Sequence, residues 1–255
     1  MSTRIDYDRI AHLYDDSRRD HPLDERLVAF VAASPWPSAV RVLDVGCGTG
    51  KQLASNRVAF PRMVLVGVDV SAQMLRVAQA RAPDVTWIRG DGQSLPLAPA
   101  SFDYVTNQFS YPHVPDKRRL VHEIFRVMRP GGRFVLVNID PWAMPDWAIY
   151  RYFAGTRALD ERDFMPPPAL VSLLRDAGFT NVCLESTDRS SEHDLREFLS
   201  SVSQRHSASQ LMAIPDDDYE AGLATVREAI ARAGSGAASI RSQFVVIAIT
   251  ADKPA

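Results

Sequence analysis

A glycine-rich run near the start of the chain is the segment best suited to bind a ligand. It reads Asp44-Val-Gly-Cys-Gly-Thr-Gly50 and begins within the short β-rich run Arg41-Val-Leu-Asp-Val45. Glycines let the backbone turn sharply and approach a ligand closely, and the N-terminus of a following helix offers unpaired N–H groups. Loops of this kind bind phosphates, dinucleotides or other nucleosides, and the glycine spacing distinguishes these classes.

The spacing disagrees with two of these ligand classes. A phosphate-binding loop requires Gly-x-x-x-x-Gly-Lys-Ser/Thr, but Val45 stands at its first glycine and Gln52 at its hydroxyl residue. A dinucleotide loop requires Gly-x-Gly-x-x-Gly, and here Lys51 takes the place of the third small residue. The pattern that remains is Gly-x-Gly-x-Gly, running from Gly46 to Gly50.

Two carboxylates follow the glycine run at the ends of later β-rich stretches. Asp69 comes nineteen positions after Gly50, where a carboxylate can accept hydrogen bonds from both hydroxyls of a ribose. Asp91 and Gly92 follow the next stretch, where a carboxylate could accept from the amino group of an adenine. Both positions suit a nucleoside, whether it belongs to NAD or to another ligand.

The elements that must position these residues alternate between strand and helix. Helix patterns follow Ser71 and cover 115–128 and 170–177. Near-continuous apolar strands separated by helices indicate a doubly wound α/β fold, whose mostly parallel sheet is covered on both faces. The strands are predicted at 41–45, 64–69, 85–88, 102–106, 134–138, 181–185 and 244–249.

Two segments interrupt this alternation and are predicted to form caps. Residues 141–168 are rich in aromatic side chains, and residues 188–240 contain two amphipathic helices. We predict one domain over 1–255. Its parts are an N-terminal cover (1–40), a cofactor-binding core (41–140), cap insertions (141–168 and 188–240) and the remainder of the sheet (169–187 and 241–250).

Composition excludes several classes of protein. The net charge is −2, from 29 basic and 31 acidic residues, which disfavours nucleic acid as a partner. Two cysteines cannot form a disulfide framework or a cysteine-rich zinc site, and the six histidines show no metal-ligand pairing, so no metal is expected. We find no signal-peptide pattern and no membrane-spanning apolar run, so no membrane insertion and a cytoplasmic location are expected.

Taken together, the motifs resemble the class I S-adenosylmethionine-dependent methyltransferases, and in particular the branch that includes the ubiquinone and menaquinone C-methyltransferases. The resemblance covers about residues 41–140 and implies a Rossmann-like sheet of seven strands with the last one antiparallel. The motifs, in order, are Val42-Leu-Asp-Val-Gly-Cys-Gly-Thr-Gly50, Gly67-Val-Asp-Val-Ser71 with Met74, Gly90-Asp91, Ser101-Phe-Asp-Tyr104, and Glu123 through Arg129-Pro-Gly-Gly132.

This resemblance implies S-adenosyl-L-methionine as the cofactor and gives roles to individual residues. Gly46, Cys47 and Gly48 would pack against its methionine moiety, and Asp44 would orient the loop and help to neutralise the ammonium group. The remaining roles are ribose binding by Asp69, adenine contact by Val70 and Met74, binding of the adenine edge by Asp91 and Gly92, and a main-chain contact from Asn107. Met74 could equally be a core residue, and Asp91 could cap a turn.

The N-terminal segment also resembles part of this branch. Tyr7, Tyr14 and Arg18 match a tyrosine-bearing helix that folds over the cofactor, and Tyr14 is the predicted contact. An aromatic helix on the surface would give the same pattern.

Methyl transfer from a sulfonium needs alignment more than acid–base chemistry. The reaction is an in-line displacement, and a general base is required only where the nucleophile carries a proton. His113 is the candidate base because it lies in the loop leaving the fourth strand, where doubly wound sheets bind ligands. A purely structural loop histidine is the alternative.

Aromatic residues are the candidates for binding the acceptor. Tyr111, Trp142, Trp147 and Tyr150 could line an apolar pocket, which favours a small hydrophobic or aromatic acceptor. The same aromatics could instead form ordinary packing or the surface of a homodimer. Two other functions remain open: a non-catalytic or regulatory protein that keeps the cofactor fold, and an NAD-dependent oxidoreductase.

Overall fold

The computed structural model describes residues 5–15, 23–234 and 238–255. Arg18, which was predicted to belong to the N-terminal cover, lies outside the described residues. The strands of the described chain are β1 (Arg41–Val45), β2 (Val64–Asp69), β3 (Thr86–Arg89), β4 (Phe102–Gln108), β5 (Met128–Ile139), β6 (Thr180–Asp188), β7 (Ser191–Asp194), β8 (Ser239–Ser242) and β9 (Val245–Asp252).

Seven of these strands form one sheet in the order β3-β2-β1-β4-β5-β9-β6. Neighbouring strands from β3 to β5 are parallel, whereas β9 runs antiparallel to both β5 and β6. The predicted Rossmann-like sheet, mostly parallel with its last strand antiparallel, is confirmed. Its strand order reverses direction beside β1, and this is where such sheets bind ligands.

Helices cover both faces of the sheet. On one face α5 turns Leu120, Val121 and Ile124 onto β4 and β5, and α8 packs beside it. On the other face α2, α3 and α4 bury side chains such as Leu27, Leu53 and Leu75. The described helices are α1 (Tyr7–Ile10), α2 (Glu25–Ala33), α3 (Lys51–Ala59), α4 (Ala72–Arg81), α5 (Lys117–Val127), α6 (Ala148–Tyr152), α7 (Thr156–Asp163), α8 (Pro167–Asp176), α9 (Leu195–Ser203), α10 (Ser209–Ala213) and α11 (Asp216–Ala233).

The fifth strand begins six residues earlier than the sequence pattern predicts. It starts at Met128 and passes through Pro130-Gly131-Gly132, with a register shift opposite Phe102 and Tyr104. Gly131 adopts a φ of 76°, and Gly132 lies so close to neighbouring carbonyl oxygens that a Cβ would be crowded. The glycines therefore allow the strand to continue through 129–133, a stretch for which neither helix nor strand was predicted.

The segment 188–240 contains more than the two predicted helices. Helices α9 and α11 are present and pack against each other, but β7 and β8 also pair as a separate two-stranded antiparallel sheet, and α10 lies between the helices. The sequence Ser-Glu-His-Asp of β7 has no alternating apolar residues, so no strand pattern was visible.

The two interruptions of the α/β pattern pack into one layer. Ile149 and Phe153 of the first segment join Val202, Leu211 and Tyr219 of the second in a single apolar cluster. The ring centroids of Phe153 and Tyr219 lie 5.9 Å apart in a stacked arrangement. The two segments, far apart in sequence, thus share one core.

Gly222 of α11 allows this close packing, and its substitution should weaken it. A Cβ at this position would overlap the Phe153 ring. We expect Gly222→Ala to lower the free energy of unfolding in urea by about 1–3 kcal/mol, despite the ~1 kcal/mol by which alanine favours a helix. The exposed change Thr225→Ala on the same helix is the control, with an effect below about 0.5 kcal/mol. Unchanged stability of the glycine variant would contradict the packing described.

Candidate functional site

The glycine loop leaves β1 and borders open space. Gly46 has a φ of 77°, and a Cβ there would overlap Ser110 Oγ. Gly48 has a φ of 53°, and no atom lies within 4 Å of the position its Cβ would take. The first glycine therefore packs the loop against its neighbour, while Gly48 presents bare backbone to a cavity that a ligand can approach closely.

Asp69 connects the end of β2 to this loop. Its Oδ2 accepts a hydrogen bond from the Gly48 N–H at 2.8 Å, and its Oδ1 accepts from the Ser71 N–H at 2.9 Å. Burial raises the pKa of Asp69, although these N–H donors act in the opposite direction. Each oxygen keeps a further lone pair, so the carboxylate can still accept hydrogen bonds from a pair of hydroxyls.

Asp44, on β1 beneath the loop, is a buried carboxyl group with no ion-pair partner among the described residues. Its side chain is 3% exposed, and its Oδ1 has no hydrogen-bond partner among the described residues. Burial, and then the negative charge of Asp69, raises its pKa to about 7. A cationic group of a ligand would favour its ionised form.

A cleft of about 110 Å³ lies at the carboxyl ends of β1, β2 and β4 and adjoins a second cavity of about 620 Å³. Tyr14, Gly46 and Gly48 border both. The remaining residues predicted for the cofactor each border one of them: Asp69, Val70, Met74, Asp91, Gly92 and Asn107 the cleft, and Asp44 and Cys47 the second cavity.

The side chain of Asn107 helps to hold the glycine loop in place. Asn107 is fully buried, and its Nδ2 donates to Val45 O at 2.8 Å and to Ser110 Oγ at 2.7 Å. Its Oδ1 has no hydrogen-bond partner within the described chain.

Burial raises the pKa of the Cys47 thiol well above its usual range, which keeps the thiol neutral.

The N-terminal segment 5–15 lies across the cleft and is held by two carboxylates. Asp8 accepts hydrogen bonds from Ser71 Oγ at 2.6 Å and from the Gln73 N–H at 2.9 Å, at the start of α4. Asp15 accepts from Thr49 Oγ1 at 2.9 Å and forms an ion pair with Arg81. We call residues 5–15 the cover segment.

The cover segment places a tyrosine against the candidate base. Tyr7 Oη lies 2.8 Å from His113 Nε2, and the two ring centroids are 5.3 Å apart. Tyr14 packs edge-on against Tyr7 at 6.0 Å. Tyr7, Tyr14 and His113 border both cavities, so this aromatic group stands where the two spaces meet.

The larger cavity is mainly aromatic and apolar. Its wall includes the side chains of Phe109, Trp147, Phe164 and Phe244. Lys51 is the one lysine or arginine among its described lining residues, and the Lys51 Nζ lies 3.6 Å from a carboxylate oxygen of Asp15. The cavity therefore suits an uncharged or aromatic molecule better than a phosphorylated one.

Of the four residues predicted to bind the acceptor, Trp147 borders this cavity. Tyr111, Trp142 and Tyr150 do not border it, and their contact with an acceptor stays a prediction. Tyr111 shares a short 3₁₀ turn with His113, and residues two apart in such a turn point in different directions. It is 1% exposed and packs in the core of the sheet.

Trp142 and Tyr150 lie elsewhere. Trp142 borders, together with Tyr111, a separate small cavity of about 10 Å³. Tyr150 points into the cap, where its Oη donates to Asp160 at 2.6 Å.

Phe109, Asn138 and Gln210 are among the lining residues that were not predicted. Phe109 has a φ of 55°, unusual for an aromatic residue, and its N–H donates to Val137 O at 2.9 Å. Asn138 stands at the carboxyl end of β5, a position that could have identified it from the strand pattern alone. Gln210 comes from α10, and its sequence carries no sign that the chain returns to the sheet there.

The described residues contain neither a metal-binding cluster nor a membrane-spanning helix. No group of three or more His, Cys, Asp or Glu side chains could hold a metal ion. No described helix combines the length and the apolar character needed to cross a membrane.

Comparison with known proteins identifies the family. A family profile described as a methyltransferase domain matches residues 43–136. The chain is 28% identical to a demethylmenaquinone methyltransferase of Thermotoga maritima, over 68% of this chain and 86% of that protein. It is 30% identical to a ubiquinone/menaquinone biosynthesis C-methyltransferase of Desulfotalea psychrophila, over 69% of this chain and 81% of the relative.

A solved structure supports the fold. Phosphoethanolamine N-methyltransferase 2 of Haemonchus contortus, in complex with S-adenosyl-L-methionine, superposes with a TM-score of 0.62 at 19% identity. The match covers 97% of this chain but 57% of that one, so our chain spans less than two thirds of its length. At this identity the likeness concerns the fold alone.

These comparisons give no support to a non-catalytic protein or to an NAD-dependent oxidoreductase. The range matched by the family profile, 43–136, contains Asp44, Asp69 and Asp91. The chain belongs to the class I S-adenosylmethionine-dependent methyltransferases and uses S-adenosyl-L-methionine as its cofactor.

Proposed function

We propose that the cleft holds the cofactor and that the adjoining 620 Å³ cavity holds a small hydrophobic or aromatic acceptor. The observation that carries this proposal is the meeting of the two spaces at Phe109 and at the Tyr7–His113 pair. A methyl group leaving the cleft would enter the aromatic cavity at this point.

The polar groups of the cleft, together with Asp44 on the adjoining wall of the second cavity, suit the parts of S-adenosylmethionine. We propose that the methionine end of the cofactor extends past Gly46 and Gly48 to Asp44. Asp44 is a buried carboxyl that needs a cation, and the ammonium group of the methionine moiety supplies one. Asp69 can accept hydrogen bonds from the two ribose hydroxyls. The bare backbone of Gly48 leaves room for the part of the cofactor between its ribose and its ammonium group. Val70, Met74 and Asp91 border the part of the cleft that we assign to the adenine.

When bound, the cofactor supplies a methyl group activated on a sulfonium. The protein must align the acceptor with it and exclude water. The cover segment helps to exclude water because Tyr7 and Tyr14 lie where the cleft meets the larger cavity. We propose that the caps, 141–168 and 188–240, close the acceptor cavity from the other side.

We propose that His113 receives the proton when the acceptor carries one. In the neutral imidazole, Nε2 can accept the Tyr7 hydroxyl proton, and that hydroxyl faces the junction. As the acceptor takes the methyl group that the bound cofactor would supply, the acceptor proton would pass to Tyr7 Oη and the Tyr7 hydroxyl proton to His113 Nε2.

The acceptor class is proposed from the wall of the cavity and from the relatives. Four aromatic side chains and a paired Lys51 favour a flat, uncharged ring. The relatives named above act in menaquinone and ubiquinone biosynthesis. We therefore propose a phenol or hydroquinone as the first acceptor class to test, with S-adenosylhomocysteine release as the readout.

Asp69 should be essential for cofactor affinity. Hydrogen bonds to a charged group contribute about 1.5–3 kcal/mol, so Asp69→Ala should weaken S-adenosylhomocysteine binding at least about tenfold in isothermal titration calorimetry. Asp176→Ala, an exposed change on α8, is the control and should bind like the unmodified protein. Equal affinity in the Asp69 variant would rule out the proposed ribose contact.

Asp44 should make cofactor binding depend on pH. The ammonium pairs with the ionised carboxylate, and the pKa of Asp44 without ligand is raised to about 7. S-adenosylhomocysteine affinity should therefore rise as the pH increases from 5.5 to about 7.5, and Asp44→Asn should remove this rise. Calorimetry across this range tests the assignment, and a flat profile in the unmodified protein would refute it.

The same substitution should stabilise the protein without ligand. Relative to the ordinary pKa of 3.8, the raised value means that ionising Asp44 opposes folding. This cost is absent below about pH 4, grows as the pH rises, and is complete above about pH 7. Asp44→Asn should thus raise the melting temperature more at pH 8 than at pH 5.

His113 should affect turnover rather than cofactor binding. With a phenol or hydroquinone acceptor, we expect His113→Ala to lower kcat about 100-fold or more while its affinity for S-adenosylhomocysteine stays within about twofold. Tyr7→Phe should lower kcat by a smaller factor because the imidazole remains. The control is His193→Ala, an exposed histidine of β7. Full turnover in the His113 variant would make this residue structural.

A further inference from the structure

Among the buried polar groups that have no hydrogen-bond partner within the described chain, two border one small cavity. They are the hydroxyl of Tyr111 and the Nδ2 group of Asn138, whose side chains are 1% and 3% exposed. An unsatisfied buried donor costs about 1–3 kcal/mol. Two of them at one place indicate that an acceptor atom, from a bound water or from a ligand, belongs there.

Both groups border the same small cavity, of about 10 Å³. This volume is enough for about one oxygen-sized atom. Leu136, Trp142 and Leu170 form part of its apolar wall. Asp140 also borders it, but Asp140 Oδ1 accepts from the N–H of Trp142 at 3.1 Å, which occupies that oxygen locally.

The orientation of both groups favours donation. Asn138 Oδ1 accepts from the Ile139 N–H at 2.9 Å, so the amide is fixed and its NH₂ side is left as a donor. Burial raises the pKa of Tyr111, so its hydroxyl keeps its proton. An atom between them would have to accept hydrogen bonds, as oxygen does.

The small cavity adjoins the proposed acceptor cavity. Asn138, Ile139 and Phe164 border both spaces, so these three side chains form their common wall. A ring lying in the larger cavity could therefore direct a substituent past Phe164 toward Tyr111 and Asn138.

We infer that Tyr111 and Asn138 form a subsite for one oxygen atom of the methyl acceptor, such as a carbonyl or a phenolic oxygen. This inference rests on the proposed function, because it adds a polar contact to the aromatic cavity. It makes the pair specificity-determining: an acceptor of the same shape without oxygen would leave two buried donors unsatisfied.

The test compares two probes that differ in one group, 1-naphthol and 1-methylnaphthalene. Their dissociation constants are measured by equilibrium dialysis with saturating S-adenosylhomocysteine. The unmodified protein should bind 1-naphthol at least about tenfold more tightly. Tyr111→Phe and Asn138→Asp should each bring this ratio close to one, since each removes a donor and keeps the size of the side chain.

Tyr152→Phe is the matched control, because this tyrosine borders neither cavity and should keep the full ratio. Each variant's affinity for S-adenosylhomocysteine reports whether it is folded. If a variant does not fold, the Asn138 side-chain amide signals of the unmodified protein provide the second measurement. They should shift on addition of 1-naphthol and stay in place with 1-methylnaphthalene.

Three results would overturn the subsite. One is failure of the unmodified protein to prefer 1-naphthol, and another is a preference that survives in both variants. The third is a lowered melting temperature with unchanged preference, which would identify a structural water only. Loss of S-adenosylhomocysteine binding by the unmodified protein would instead contradict the proposed function, so the two failures are distinguishable.

Discussion

The hydrogen bonds of one carboxylate, Asp69, organise the ligand-binding end of this protein. Its two oxygens accept from the N–H groups of Gly48 and Ser71, and they thereby join the end of β2, the glycine loop and the start of α4. Ser71 in turn caps α4 and donates to Asp8, so the cover segment rests on the same assembly. The carboxylate that we propose binds the ribose thus also supports the glycine loop beside the cleft. Because these hydrogen bonds do not need a ligand, they position the loop before a ligand arrives.

The part of the site made by short-range sequence could be predicted, because spacing alone determines it. The glycine loop, Asp69 and Asp91 each follow a strand directly, and parallel strands bring their carboxyl ends to one edge. Side-chain direction could not be predicted for Tyr111 and His113, which lie two residues apart but face different cavities. A turn of three residues decides this, and its geometry is not visible in the residue types.

The acceptor side was harder to predict because it depends on contacts distant in sequence. The residues of β7 pair with those of β8, on the far side of α9, α10 and α11, and neither strand has an apolar alternation. Gln210 reaches the cavity because Phe153 and Tyr219 stack and draw the two caps together. The aromatic composition of 141–168 predicted an aromatic pocket, but it could not show that Trp147 borders the larger cavity while Tyr150 donates a hydrogen bond to Asp160.

Tyr7 and Tyr14 belong to the walls of both spaces. The acceptor cavity acquires its complete wall only when residues 5–15 lie across the cleft. The walls of both spaces therefore depend on one short peptide segment. Any change in how residues 5–15 lie would alter the cleft and the larger cavity together.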